Sequence, residues 1–267
     1  MEPDEPGAAW GPLSGPLAAE VAGSGERLVF VHGFTQTGRS WLPVVRPLTT
    51  HHEVVLIDAP GHGASAVARV DLRRGADLLA ATAGAGTYVG YSMGGRLCLH
   101  AALAYPHLVK RLVLVGATPG LADDEERMAR RSTDEALAEQ LETEGVEPFL
   151  QRWLAQPLFA TLAAAARGLD ERRRNTAEGL AASLRNAGTG AQLELWSRLW
   201  GVRMPVLLLA GEHDAKFATI ARDMAAAIGD RATTWLIPRA GHAAPWEQPI
   251  AFVNILNVWL ADNPVPL

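Results

Sequence analysis

Four uninterrupted apolar runs constrain this chain more than any other feature. They are Leu28-Val29-Phe30-Val31, Val54-Val55-Leu56-Ile57, Leu112-Val113-Leu114-Val115 and Val206-Leu207-Leu208-Leu209. A strand with one wet face alternates apolar and polar residues, whereas a strand covered on both faces reads as a continuous apolar run. Helix-like segments fall between the runs, at residues 41–48, 72–83 and 96–104. Strands alternating with helices of this length imply βαβ units with right-handed crossovers. The expected fold is α/β, with a mostly parallel, doubly wound sheet. Thr87-Tyr88-Val89 and residues 233–237 add strands, residues 17–21 read as an edge strand, and residues 250–260 read as a closing helix.

The rhythm stops after Gly120. Residues 121–199 show helical signals and no strand, starting with Asp123-Asp124-Glu125-Glu126, where acids suit a helix N-terminus. The expected organisation is therefore a core over 17–120 and 200–267, interrupted by a helical cap over 121–199. Residues 1–16 hold four prolines and three glycines and read as a flexible leader; the acidic first residues lack the character of a signal peptide. With 48% hydrophobic residues in 267, the chain can bury a core without staples. The single Cys98 excludes an intramolecular disulfide and reads as a buried apolar residue. A net charge of −5 argues against a nucleic-acid surface, and no apolar run is long enough to span a bilayer. A cytoplasmic protein without membrane insertion is expected.

Chemistry concentrates at Gly90-Tyr91-Ser92-Met93-Gly94, between a strand-like and a helix-like run. That strand–Gly-x-Ser-x-Gly–helix context is a nucleophile elbow: small flanking residues permit a sharp turn that lifts the serine hydroxyl above the sheet. Asp214 and His242 each follow a later strand, so Ser92, Asp214 and His242 occur in the order of a catalytic triad, at the sheet edge where ligands bind. His242 would accept the Ser92 proton, and Asp214 would fix the imidazole tautomer. A developing oxyanion needs donors, and the backbone N–H groups of Phe34 and Met93 stand where this fold supplies them. His32 and His62 read as turn residues, and Arg172-Arg173-Arg174 as a solvated helix face. No dinucleotide fingerprint, phosphate loop or metal-ligand set is present, so neither cofactor nor metal is expected.

With these motifs the chain resembles the α/β-hydrolase superfamily along most of its length after residue 25. Within it the chain resembles the menaquinone-pathway synthases that make 2-succinyl-6-hydroxy-2,4-cyclohexadiene-1-carboxylate, the MenH family. The matching stretches are His32-Gly33-Phe34 with Trp41, Gly90-Tyr91-Ser92-Met93-Gly94-Gly95-Arg96, Gly211-Glu212-His213-Asp214-Ala215-Lys216-Phe217 and Pro238-Arg239-Ala240-Gly241-His242. The resemblance implies an α/β-hydrolase fold performing lyase chemistry: a ring proton is abstracted, pyruvate is expelled and a conjugated diene remains. Ser92 would then act as a general base activated by His242 and Asp214, with an enolate-like charge in the oxyanion hole. It also implies that Tyr91, Arg96, Arg130, Trp153 and Arg174 contact a small polycarboxylate substrate, for which guanidinium groups are well suited. The alternatives are a serine hydrolase of esters or carbon–carbon bonds using the same triad, and a non-catalytic binding protein on the same fold. A generic esterase has no need for three cations around its site.

Overall fold

The computed structural model describes residues 9–265, so the first eight residues of the expected leader lie outside it. An eight-stranded sheet organises the described chain. Its strands are β1 (Gly11–Leu13), β2 (Ala19–Ala22), β3 (Glu26–Val31), β4 (His52–Ile57), β5 (Gly86–Tyr91), β6 (Val109–Val115), β7 (Val206–Gly211) and β8 (Ala232–Ile237), in the spatial order β1-β2-β4-β3-β5-β6-β7-β8. From β4 onward all pairings are parallel, while β2 runs antiparallel to both β1 and β4. Part of the expected leader is thus a strand, and β2 is not an edge. The turn between them folds the Pro/Gly-rich chain back so that β1 covers what would be the outer side of β2.

The apolar runs are buried because helices cover both faces. Along β3, Val29 and Val31 point to a cluster with Leu72 and Leu79 of α2 (Leu72–Ala83), Leu97 and Ala101 of α3 (Met93–Ala104), and Met224 of α8 (Ala215–Ile228). Leu28 and Phe30 point the other way, onto Trp41, Val44 of α1 (Leu42–Val45), Trp246 of α9 (Ala244–Glu247), and Phe252, Leu256 and Trp259 of α10 (Pro249–Asp262). The period of two along the strand sends neighbouring residues to opposite layers. Cys98 is fully buried in the first layer. The helix expected over 41–48 is broken into α1 with tight turns before and after it, since Pro43 and Pro47 remove backbone donors.

Between β6 and β7 the chain is helical. Here lie α4 (Asp124–Glu144), α5 (Val146–Trp153), α6 (Leu169–Arg172) and α7 (Ala177–Ala187). Asp123 caps α4 by accepting from Glu126 N–H at 2.8 Å, ahead of three acids in the first turn. This segment has a small core of its own: Ala138 and Leu141 of α4, Phe149 of α5, and Leu180, Ala181 and Leu184 of α7 are all buried. Phe34, from the loop after β3, packs against that cluster. The helical segment is thereby seated directly above the carboxyl ends of the central strands. No helix among the described residues is long and apolar enough to cross a membrane.

Candidate active site

Ser92 sits at the turn between β5 and α3 with φ of 50° and ψ of −110°. An L-residue rarely adopts such a backbone, and it persists only where the surroundings enforce it. Two glycines do the enforcing. A β-carbon on Gly94 would collide with the carbonyl oxygens of Val31 and His32, and one on Gly90 would collide with the backbone of Gly94 and Gly95. Strand and helix can therefore approach only without side chains at these two positions. Ser92 N–H donates to Val115 O at 2.8 Å, which ties the elbow to β6.

The loops after β7 and β8 bring the other two residues alongside. His242 Nδ1–H donates to Asp214 Oδ2 at 2.7 Å, and His242 Nε2 lies 3.3 Å from Ser92 Oγ. The carboxylate selects the tautomer: Nδ1 must carry the proton, which leaves Nε2 free to accept one. Asp214 is held in turn, because it caps α8 and its Oδ1 accepts from Phe217 N–H at 3.3 Å. Glu247 supports the histidine from behind. Its carboxylate accepts from Gly241 N–H at 2.8 Å and from Ala243 N–H at 3.0 Å, bracketing His242 in the main chain.

The Phe34 N–H has no acceptor among the described residues, and Met93 N–H, as the first of α3, has no intrahelical acceptor. Both residues line the same cavity as Ser92 and His242. The loop carrying Phe34 is pinned by two buried histidines. His32 Nδ1–H donates to Gly33 O at 2.7 Å and Nε2 accepts from Ala59 N–H at 3.0 Å. His62 Nδ1–H donates to Pro60 O at 3.0 Å and Nε2 accepts from Thr35 N–H at 3.3 Å. Both side chains therefore serve turn structure. Burial pushes His32 down to about 4 and His62 down to about 3, so both are neutral when folded. The sign of the linkage follows. Above the ordinary histidine value of 6.5 neither state takes up a proton at these rings; as pH falls from 6.5 towards 4 the unfolded chain does and the folded protein does not. Stability should fall across that window by roughly 1.4 kcal/mol per pH unit for each histidine. Denaturant titrations at a series of pH values should show a shallower slope for His62→Gln than for the wild-type chain, and parallel slopes would contradict it.

The cavity above Ser92 has a volume of about 310 Å³. Its wall includes Phe34, Ser92, Met93 and His242 from the core, with Trp153 and Leu137 from the helical segment. Three cationic side chains, Arg96, Arg130 and Lys216, line it, and no carboxylate does. Arg96 is 7% exposed; its Nη1 donates to Ala187 O at 2.7 Å and to Gln192 Oε1 at 3.2 Å. Burial, with Arg130 nearby, pushes this guanidinium down to about 10. Arg130 Nε donates to the buried Asp134 at 2.8 Å. Trp153 stacks on Phe149 and meets Phe34 edge-on, with ring centroids 5.8 and 5.1 Å apart.

Three expectations are corrected by the geometry. Arg174 does not reach the cavity: it is half-exposed, lies 3.5 Å from Glu171, and lines a separate groove beside Arg39 and Asp58. Tyr91 is buried behind the triad and does not line the cavity; its ring centroid is 5.4 Å from His242 and 4.9 Å from Trp246. It leans against Gly33, where a side chain would strike its ring. The three consecutive arginines do not share a solvated face either, because Arg172 is only 3% exposed. It ends α6 pointing inwards, where it donates to Arg167 O at 2.7 Å and reaches Thr35 Oγ1.

With the site in place, its likeness to known proteins has a structural meaning. The profile of the alpha/beta hydrolase fold family matches residues 26–249. A 2-succinyl-6-hydroxy-2,4-cyclohexadiene-1-carboxylate synthase of Klebsiella pneumoniae is 37% identical over 243 residues, covering 88% of this chain and 94% of that protein. One from Photorhabdus laumondii is 34% identical over 244 residues, covering 88% and 85%. The chain belongs to this synthase family. The structure of MenH from S. aureus superposes with a TM-score of 0.81 at 29% identity, covering 92% of this chain and 98% of that one. A thermophilic esterase from Thermogutta terrifontis shares the fold at a TM-score of 0.76 and 22% identity. As a member of the synthase family, the chain carries Lys216 on the cavity wall. The motif after Asp214 displays that lysine, but nothing in its spacing says that it faces the cavity. Glu247 also went unseen, since nothing local in Pro245-Trp246-Glu247 signals a carboxylate reaching back over the main chain.

Proposed function

We propose that this protein eliminates pyruvate from 2-succinyl-5-enolpyruvyl-6-hydroxy-3-cyclohexene-1-carboxylate, giving 2-succinyl-6-hydroxy-2,4-cyclohexadiene-1-carboxylate in menaquinone biosynthesis. The observation that carries this reading is a cavity lined by three cations and no carboxylate, directly above the Ser92–His242 pair. The substrate has three carboxylates, and Arg96, Arg130 and Lys216 would supply one countercharge each. Ser92 passes its proton to His242 Nε2 and removes the ring hydrogen at C2, which the adjacent succinyl ketone makes acidic. The released electron pair forms C2=C3, the ring double bond moves to C4=C5, and the C5–O bond breaks. Enolpyruvate departs, takes up a proton and tautomerises to pyruvate. In the transition state the succinyl oxygen becomes enolate-like, and the N–H groups of Phe34 and Met93 are its donors. Trp153 and Phe34 bound the apolar ring. The helical segment acts as a cap that excludes water, and a cytoplasmic location and a small polycarboxylate substrate belong to the same reading.

The decisive assay offers the enzymatically prepared enolpyruvyl substrate and follows pyruvate release with diene absorbance, beside a panel of simple esters. Pyruvate and diene should appear together and in equal amounts. Rapid ester turnover with no pyruvate would replace this reading with a hydrolase.

A further inference from the structure

The loop that presents Phe34 is held in a conformation it would not adopt alone. Thr35 has φ of 69°, in the left-handed region that a β-branched residue disfavours. Such a conformation persists only where surrounding contacts over-determine it. The contacts come from outside the loop. Asn175, 5% exposed, donates through Nδ2 to Thr35 O at 2.7 Å and to Arg172 O at 2.9 Å. Its Oδ1 accepts from Gly63 N–H at 2.9 Å. One amide therefore fastens the turn after α6 to the loops that follow β3 and β4. At the other end of the same residue, His62 Nε2 accepts from Thr35 N–H, in the peptide that joins Thr35 to Phe34. Arg172 adds donors to Phe34 O at 3.4 Å and to Thr35 Oγ1. Every polar group of residue 35 is thus engaged, while the preceding N–H, of the cavity-lining Phe34, has no acceptor among the described residues.

We infer that Asn175 and His62 are positioning residues for the oxyanion hole. Their side chains grip Thr35 at its carbonyl and its N–H, and so hold the Phe34 N–H where the enolate oxygen forms. This rests on the reading above, in which Phe34 is an oxyanion donor. Neither side chain lines the cavity, so neither contacts substrate. Their effect should fall on the transition state and leave ground-state binding nearly unchanged, because the carboxylate-binding cations lie elsewhere on the wall.

The test measures kcat and KM for pyruvate release with the full-length chain. Asn175→Ala should lower kcat by about 10- to 100-fold with KM within about threefold of wild type. Asn175→Asp keeps the shape and the acceptor for Gly63 but loses the donor. Assayed at about pH 9, where the new carboxyl has no proton to give, it should show a similar deficit. His62→Gln, whose amide oxygen can still accept from Thr35, should retain a larger share of kcat than His62→Leu. Circular dichroism melts identify variants that fail to fold; for those, the comparison within the remaining folded pair decides. The inference is overturned if folded Asn175 variants keep kcat within about twofold, if the loss falls on KM alone, or if His62→Gln is as impaired as His62→Leu. Ser92→Ala is run alongside. If it releases pyruvate normally, the reading of the site has failed; if it is inactive while the Asn175 and His62 variants are unimpaired, only the inference has.

Discussion

Ser92→Ala is expected to abolish pyruvate release for practical purposes, with kcat reduced by about 10²- to 10⁴-fold and the fold intact. In the proposed mechanism the hydroxyl connects His242 Nε2, 3.3 Å away, to the reacting carbon, and among the described residues no other hydroxyl is hydrogen-bonded to that nitrogen. The backbone at Ser92 has positive φ, yet alanine adds no atoms to the turn, so melting should be nearly unchanged. Steady-state pyruvate release and a thermal melt check both halves of the expectation. A second measurement separates general-base from nucleophilic chemistry. With the wild-type chain under turnover, intact mass should reveal no covalent substrate adduct at Ser92, and an accumulating acyl-enzyme would favour the hydrolase alternative.

Arg96→Ala should have the second largest effect. The guanidinium is nearly buried, carries another cation beside it, and spends only Nη1 on protein acceptors. Arg96 and Arg130 repel each other in a partly dry cavity, and Asp134, bound to Arg130 Nε, offsets that repulsion only in part. A carboxylate that enters relieves that repulsion and gains charge-assisted hydrogen bonds of roughly 1.5–3 kcal/mol. Losing Arg96 should therefore reduce kcat/KM by about 10- to 100-fold, mainly through KM. Arg96→Lys should recover only part of the loss, because an ammonium restores charge without the planar fork. Simple tricarboxylate or dicarboxylate ligands should raise the melting temperature of wild type and do so less in Arg96→Ala. A kcat/KM within about threefold of wild type would remove Arg96 from the carboxylate-binding set.

Much of this molecule is legible in its amino-acid sequence. The four apolar runs had to be strands covered on both faces, because four consecutive apolar side chains cannot all face one core in a strand. Helices between them then implied parallel pairing. Ser92, Asp214 and His242 were legible for the same reason: each follows a strand, and strand ends gather at one edge of such a sheet. The antiparallel pair β1 and β2 was harder to see. Three and four residues of mixed character carry no periodic signal, and their pairing depends on a neighbour already in place.

The helical segment marks where sequence reasoning stopped. Arg172, Arg173 and Arg174 are chemically identical neighbours, and successive residues of a helical turn point about 100° apart. Which one turns inwards depends on the phase of α6 against the Phe34 loop, so Arg172 is buried on Thr35 while Arg174 faces a different groove. The cation that joins Arg96 and Arg130 on the cavity wall is Lys216, from the start of α8, more than 80 residues further along the chain than Arg130. Periodicity along a strand is a local property that side-chain hydrophobicity reveals directly. The company a charged side chain keeps is not local, because it is set by the packing of elements distant in the chain, and for the arginines, Lys216 and Asn175 that packing had the last word.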